Sequence, residues 1–254
     1  MKILLTNDDG VFAPGIRTLA MELEKNHEVI IVAPEEEHSG QSHAITIHRP
    51  LIVKDVELEG VRSKAYSVSG TPADCVRAAL DKILEEKPDV VFSGINLGYN
   101  AGMDIIYSGT VSAAIEANVF SIPSVAVSSK WVNGTARFDT AARIALEICN
   151  KVKDEWLQKD TPIMVLNINV PYLDYEEIKG VKVAEIGGPV YDYYYEEEVD
   201  GQRSLVLKGR NRPENLEGTD RAYLDDGYAT LTPLIYDMNN RDLIRRVGSW
   251  VEER

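Results

Sequence analysis

Apolar and polar positions along the chain alternate between short runs buried on both faces and stretches apolar on one side only. KILLTN at 2 to 7 is an apolar run closed by turn residues, the pattern of a buried parallel strand. Pro14 suits the first turn of a helix, and Ile16, Leu19, Ala20 and Leu23 follow at helical spacing. EVIIVAP at 28 to 34 reads as a second buried strand. Strand, helix and strand within about 30 residues predict a βαβ unit, hence a parallel sheet with right-handed crossovers.

After Pro34 the pattern breaks, because EEEHSGQSHAITIHRP places Gly, Ser and His where another one-sided helix is due. A long functional loop is expected there. AITIH, LIVKDV and KAYSVSG alternate and predict short, partly antiparallel strands, and Thr71-Pro72-Ala73-Asp74 is a capping box opening a helix through Ala78, Ala79 and Ile83. PDVVFSG (88 to 94) is another buried strand, followed by the long loop INLGYNAGMDIIYSGT and the small-residue helix VSAAIEANVF. IPSVAVSS, a helix over 136 to 152 and PIMVLNINV complete the sheet, so the compact α/β part is expected to span 1–171. In 172–254, VYDYYYEEEVDG and RSLVLKG predict a hairpin-like arm, GYATLTPL a strand and NNRDLIRRVGSWVEER a final amphipathic helix. Exposed aromatics on such an arm suit packing against a partner subunit.

Composition narrows the function. The 254 residues, 44% hydrophobic and 27% charged, suit one large soluble domain or one domain with an appendage. A formal charge of -14 repels a polyphosphate backbone, which argues against a nucleic-acid polymer as partner. A small anion remains compatible, since a bound cation or a helix N-terminus reverses the local field. Cys75 and Cys149 lack any CxxC or zinc spacing and read as buried thiols of a cytosolic protein. No apolar run approaches the roughly 18 residues of a membrane span. The N-terminal segment has no signal-peptide pattern, so a cytoplasmic location is expected.

The candidate chemistry begins where the first strand ends, at Asp8 and Asp9. Ligands of open parallel sheets bind at the carboxyl ends of strands. Asn7-Asp8-Asp9-Gly10 is also a good turn sequence, so the motif alone fixes nothing. It lacks the glycine fingerprint of a dinucleotide site, and two aspartates would repel a phosphate unless a divalent cation such as Mg²⁺ or Mn²⁺ lay between them. A response-regulator receiver, with Asp55 as acceptor, would need a helix where EEEHSGQSHAITIH stands, and a haloacid-dehalogenase-type phosphatase spaces its aspartates two apart. Further oxygen ligands must come from neighbouring strand ends, which supply Ser39 and Asn96. YSGTVSAA opens a helix, where backbone N–H groups and the hydroxyls of Ser108 and Thr110 favour an anion such as phosphate. His38 and His43 flank the Ser39 loop within reach of a substrate, His48 reads as structural, and the absence of a GxSxG elbow disfavours a serine hydrolase.

The stretches ILLTNDDG, VAPEEEHSGQSHAIT, SGTPADCV, PDVVFSGINLGYNAGMDIIYSGTVSAA, LNINVP and GTDRAYLDDGYATLTPL resemble the survival protein E (SurE) family of metal-dependent nucleotide phosphatases. The resemblance implies a Rossmann-like, mostly parallel sheet with helices on both faces, and a C-terminal β-arm and helix exchanged or packed between subunits of a homodimer or homotetramer. It implies hydrolysis of nucleoside 5′-monophosphates, often 3′-monophosphates, and in some members short polyphosphates. The divalent-metal ligands carry over onto Asp8, Asp9, Ser39 and Asn96, and the phosphate contacts onto Ser108, Gly109 and Thr110, with Asn100 beside them. Asp8 and Asp9 would be catalytic as well as metal-binding, with a water as nucleophile; which of them takes a proton stays open. A non-catalytic, metal-dependent nucleotide-binding or regulatory protein is the alternative. The chain departs from the family in its arm, where Glu185, Gly187 and Gly188 stand in place of basic residues that many members carry.

Overall fold

In the computed structural model of the chain, residues 1–158, 164–189, 191–211 and 216–252 are described. The elements are β1 (Lys2–Thr6), α1 (Pro14–Leu23), β2 (Glu28–Pro34), β3 (Val53–Val56), β4 (Lys64–Val68), α2 (Pro72–Ala78), β5 (Val90–Leu97), α3 (Gly109–Val119), β6 (Ser124–Ser129), α4 (Phe138–Trp156), β7 (Val165–Val170), β8 (Val181–Val183), β9 (Tyr191–Val199), β10 (Gln202–Asn211), α5 (Asp220–Asp225), β11 (Ala229–Leu234) and α6 (Arg241–Glu252). Nine strands form one sheet in the order β3-β4-β2-β1-β5-β6-β7-β11-β8. From β4 to β7 all neighbours are parallel. The parallel strands thus follow the doubly wound order third, second, first, fourth, fifth, sixth, and the winding reverses between β1 and β5. This is the Rossmann-like α/β fold.

The two-residue period of the strands decides which helix covers which face. Ile3 and Leu5 of β1, with Ile31, Phe92 and Ile168, pack against Ile16, Leu19 and Leu23 of α1 and Ile144 and Ile148 of α4. Leu4 points to the other face, where Val32 and Val91 meet Cys75 and Val76 of α2 and Ala113 and Ala117 of α3. Both cysteines are buried free thiols, and burial pushes Cys149 up to about 12.

Past Pro171 the chain returns to the same sheet: β11 pairs antiparallel with β7 and parallel with β8. Among the described residues only β9 and β10 stand apart, as an antiparallel hairpin. Pro162, Ile163, Val190, Glu253 and Arg254, which the expected elements include, lie outside the described residues. Among the described residues no helix is long and apolar enough to cross a membrane.

Three local expectations need correction. AITIH forms no strand, because side chains take its backbone groups: the Thr71 hydroxyl donates to the Ala44 carbonyl at 2.6 Å, and Asp74 accepts the Thr46 N–H at 3.0 Å. The helix opened by the Thr71–Asp74 capping box is regular only to Ala78 and widens into a π-turn over Ala79–Ile83. Helix α4 runs on past residue 152 to Trp156, a large side chain 6% exposed that packs into the core.

Gly15, in the first turn of α1, marks a close approach of helix to sheet. A Cβ there would lie 2.1 Å from the Ile95 carbonyl oxygen and 3.2 Å from the Phe138 ring. Neither a backbone carbonyl in a central strand nor a packed ring yields easily. Gly15→Ala is therefore expected to cost about 2–3 kcal/mol, as overpacking does. Thermal unfolding should show the melting point lowered by roughly 4–10 °C; an unchanged melting point would contradict this packing.

Candidate active site

The turn after β1 does two jobs at once. The Asn7 side-chain amide donates to the Gly10 carbonyl at 2.8 Å, and Gly10 takes a positive φ of 97° that favours glycine, so Asn7 and Gly10 close the turn. That leaves the carboxylates of Asp8 and Asp9 for the site. They stand at the carboxyl end of β1, beside the end of β5, where the winding reverses and a crevice opens between diverging loops.

Asp8 is buried against the N-terminus of α3: it accepts the Thr110 hydroxyl and the Thr110 backbone N–H. A Cβ at residue 109 would lie 2.9 Å from that of Asp8, so glycine there lets the helix close onto the carboxylate. Burial raises the Asp8 pKa despite these bonds. Asp9 accepts the Leu97 N–H at 3.1 Å, and its pKa is raised to about 7, first by burial and then by the Asp8 charge. Among the described residues neither carboxylate has a Lys, Arg or His partner in an ion pair. Two half-compensated negative charges side by side are the electrostatic signature of a cation site.

Ser39 and Asn96 approach from the flanking strand ends. The His38 N–H donates to the Asp8 carbonyl at 2.7 Å, which brings the Ser39 loop against the turn, and the Ser39 hydroxyl donates to Glu37 at 2.7 Å. Asn96 spends its amide nitrogen on the Gly98 carbonyl at 2.9 Å, so the group it offers a cation is its carbonyl oxygen. Among the described residues no group of three or more His, Cys, Asp or Glu is arranged around a metal. A cation held here would therefore rest on two carboxylates plus neutral oxygens, the set that suits a hard divalent ion keeping coordination positions open.

Of the expected phosphate contacts, Ser108 caps α3, its hydroxyl accepting the Val111 N–H at 3.0 Å, and Gly109 follows at the first helical position. Thr110 is fully buried, and both its hydroxyl and its N–H are given to Asp8. Asn100 is 7% exposed and donates to the Ser128 hydroxyl at 2.8 Å, while its backbone is held by Asn167 and Asn169. In this geometry the Thr110 hydroxyl is given to Asp8 and the Asn100 amide nitrogen to Ser128. The histidines are committed elsewhere: His43 bonds Glu116 at 2.6 Å, His38 bonds Gln41 at 2.8 Å, and His48 is exposed.

Three participants escaped the reading of the sequence. Glu37 acts on both aspartates, raising each, but looks like one more charge in an acidic surface run. Asn167 and Asn169 were detectable as two buried amides on one face of the apolar run LNINV.

Comparison with known proteins identifies the family. The family model described as survival protein SurE matches residues 3–192. The 5′-nucleotidase SurE of Clostridium tetani is 50% identical over 98% of this chain and 100% of its own length. That of Clostridium botulinum strain ATCC 19397 is 49% identical over 96% of each. The crystal structure of the SurE protein from Aquifex aeolicus superposes with a TM-score of 0.84 at 36% identity, covering 98% of this chain and 99% of that one. With the family model covering well over half the residues and these relatives matching almost end to end, the chain belongs to the SurE family.

Proposed function

We propose that this chain is a divalent-metal-dependent 5′-nucleotidase that hydrolyses nucleoside 5′-monophosphates to nucleoside and phosphate. The observation that carries the reading is the pair of adjacent carboxylates, without a cationic partner among the described residues, facing the start of α3. The enzymes named 5′-nucleotidase SurE, matched end to end, support it. Asp8, Asp9, Ser39 and Asn96 would hold the cation, Mg²⁺ or Mn²⁺ by the hardness of their oxygens. When bound, that ion supplies Lewis-acid activation of a water and of a phosphoryl oxygen.

The chain's own groups do the rest. Thr110 fixes the Asp8 carboxylate through two hydrogen bonds, and Leu97 fixes Asp9. The N-terminal end of α3 at Ser108 and Gly109 would present backbone dipole to the equatorial oxygens of a transferring phosphoryl group. Nucleoside 3′-monophosphates and short polyphosphates are further substrates to assay. We place the enzyme in the cytoplasm, as its two free buried thiols suit a reducing compartment.

We further infer a homo-oligomer in which a second copy covers the C-terminal arm and helix. Helix α6 exposes Leu243, Ile244, Val247, Trp250 and Val251, and Ile235 and Met238 before it are 83% and 97% exposed. A contiguous apolar face of that kind is seldom left to water.

Asp8→Asn and Asp9→Asn should each lower metal-dependent phosphate release from AMP by more than the roughly 10–100-fold typical of outer-shell changes, and Thr110→Val should fall within that range. Full activity in both aspartate variants would sink the assignment. The raised Asp9 pKa also ties stability to pH. The folded metal-free protein holds a proton up to about 7 that the unfolded chain releases near 3.8, so burial of Asp9 costs stability as pH rises through that window. In EDTA at about pH 8, Asp9→Asn should therefore melt above the wild type, and the difference should vanish below about pH 4. Added Mn²⁺ should raise the wild-type melting point more at about pH 8 than at about pH 5; a shift independent of pH would contradict the electrostatic account. Trp250→Asp should shift sedimentation toward the monomer, whereas a wild-type protein that sediments as a monomer at all concentrations would rule the oligomer out.

A further inference from the structure

The segment from Gly98 to Tyr107 leads from the end of β5 to the start of α3, and its only regular piece is the short 3₁₀ turn Gly102–Ile106. Much of what fixes it comes from 118 residues further along the chain, at the start of α5. Asp220 is fully buried, and its carboxylate accepts the Gly102 N–H at 2.7 Å on one oxygen and, on the other, the Gly187 N–H at 2.9 Å and the Arg221 N–H at 2.7 Å. Arg221 continues the contact: its guanidinium donates to the Ala101 carbonyl at 2.7 Å and to Asp104 at 3.1 Å.

Two glycines make room for this pair. A Cβ on Gly102 would lie 2.4 Å from Arg221 Nε, and one on Gly187 would lie 2.9 Å from an Asp220 oxygen. Gly187 is one of the positions where many relatives were expected to carry a basic residue; here the glycine admits the Asp220 carboxylate.

Resting on the nucleotidase reading of the site, we propose that Asp220 and Arg221 are positioning residues of the reaction. Together they staple Ala101, Gly102 and Asp104 to the C-terminal part of the chain, and so set where Ser108 and Gly109 begin α3 opposite Asp8. A fully buried carboxylate is costly unless its oxygens are met by donors. Here one oxygen is met by the Gly187 and Arg221 N–H groups and the other by the Gly102 N–H of the segment, so the carboxylate is fully met only when the segment is in place. The same segment is tied at its other points by the Asn100 network and by Ser42, which donates its N–H to the Tyr107 carbonyl at 3.0 Å and its hydroxyl to that of Ile106 at 2.7 Å. Residues Ala101 to Asp104, between those ties, are the part the staple holds.

The test uses the full chain with Mn²⁺ and AMP. Asp220→Asn keeps the shape but turns one acceptor oxygen into an NH₂ that faces an N–H donor. Arg221→Ala removes the outer half of the staple and serves if Asp220→Asn fails to fold. In the folded variants kcat should fall about 10–100-fold, the range of outer-shell partners. Mn²⁺ affinity, read by electron paramagnetic resonance with the metal alone, should stay within about threefold of wild type, because Asp8, Asp9, Ser39 and Asn96 lie outside the segment. Amide hydrogen exchange should accelerate in residues 98–108 and not across the sheet, and Arg221→Lys should recover part of kcat. Folded variants with wild-type kcat, or an activity loss that only follows the folded fraction or the Mn²⁺ affinity, would overturn the staple while the nucleotidase reading stands. A wild type that releases no phosphate with either metal would overturn the nucleotidase reading and the catalytic role of the staple together; unchanged exchange in residues 98–108 would reject the staple on its own.

Discussion

Everything near the catalytic end of the sheet answers to one constraint: two adjacent carboxylates sit at the buried end of the central strand. Burial pushes both toward the protonated form, and the Asp8 charge pushes Asp9 further, to about 7. The protein meets this cost only in part, with the Thr110 hydroxyl and N–H on Asp8 and the Leu97 N–H on Asp9. A lysine or arginine in the same place would have stabilised the fold and neutralised the site, leaving no demand for a mobile cation. On the proposed reading the unmet charge serves the cation, and the stability it withholds must come from the rest of the sheet.

The doubly wound order explains why so few contacts suffice. Reversal of the winding between β1 and β5 splays the loops after these two strands apart, and the loop after β2 enters from the side. The Ser39 loop is irregular but not loose. His38 is tied to Asp8, Ser42 to Ile106 and Tyr107, His43 to Glu116, Ala44 to Thr71 and Thr46 to Asp74. Glu116, itself on α3, is raised by burial but more strongly lowered by His43 and Arg77, so it anchors the loop as a carboxylate. The loop that carries one proposed ligand is thus bound to the helix proposed to face the substrate, and the two are placed as a unit.

Legibility in the sequence followed the physical origin of each feature. The parallel strands and their helices were readable because hydrophobic periodicity is local: Ile16, Leu19 and Leu23 announce the face of α1 without reference to anything distant. The capping box at Thr71 was equally local, and it is formed. AITIH misled because its alternation is genuine but its backbone groups are claimed by Thr71 and Asp74, a tertiary event that overrides strand propensity. The aspartates could be placed from strand position alone, whereas the inward-facing role of Thr110 could not. A threonine in the first turn of a helix looks the same from sequence whether its hydroxyl meets a ligand or a neighbouring strand.

The same limit accounts for Asp220 and Arg221, which share a task with Asn167 and Asn169. None touches the proposed cation ligands in the hydrogen bonds described, and each acts on Asn100 to Asp104 from elements later in the chain, β7 or the start of α5. A long loop without regular hydrogen bonding has unsatisfied backbone groups along its length, and buried ones must find partners. The partners here are side chains whose oxygens and amides meet that need: Asn169 for the N–H of Asn100, Asn167 and Asn169 for its carbonyl, Arg221 for the carbonyl of Ala101, Asp220 for the N–H of Gly102. Regular structure would have satisfied the same groups more cheaply but would have fixed the path of the chain by its own geometry. Irregular backbone held by specific side chains lets the segment take the path the site requires, and it makes residues far down the sequence responsible for the shape of the first site the chain forms.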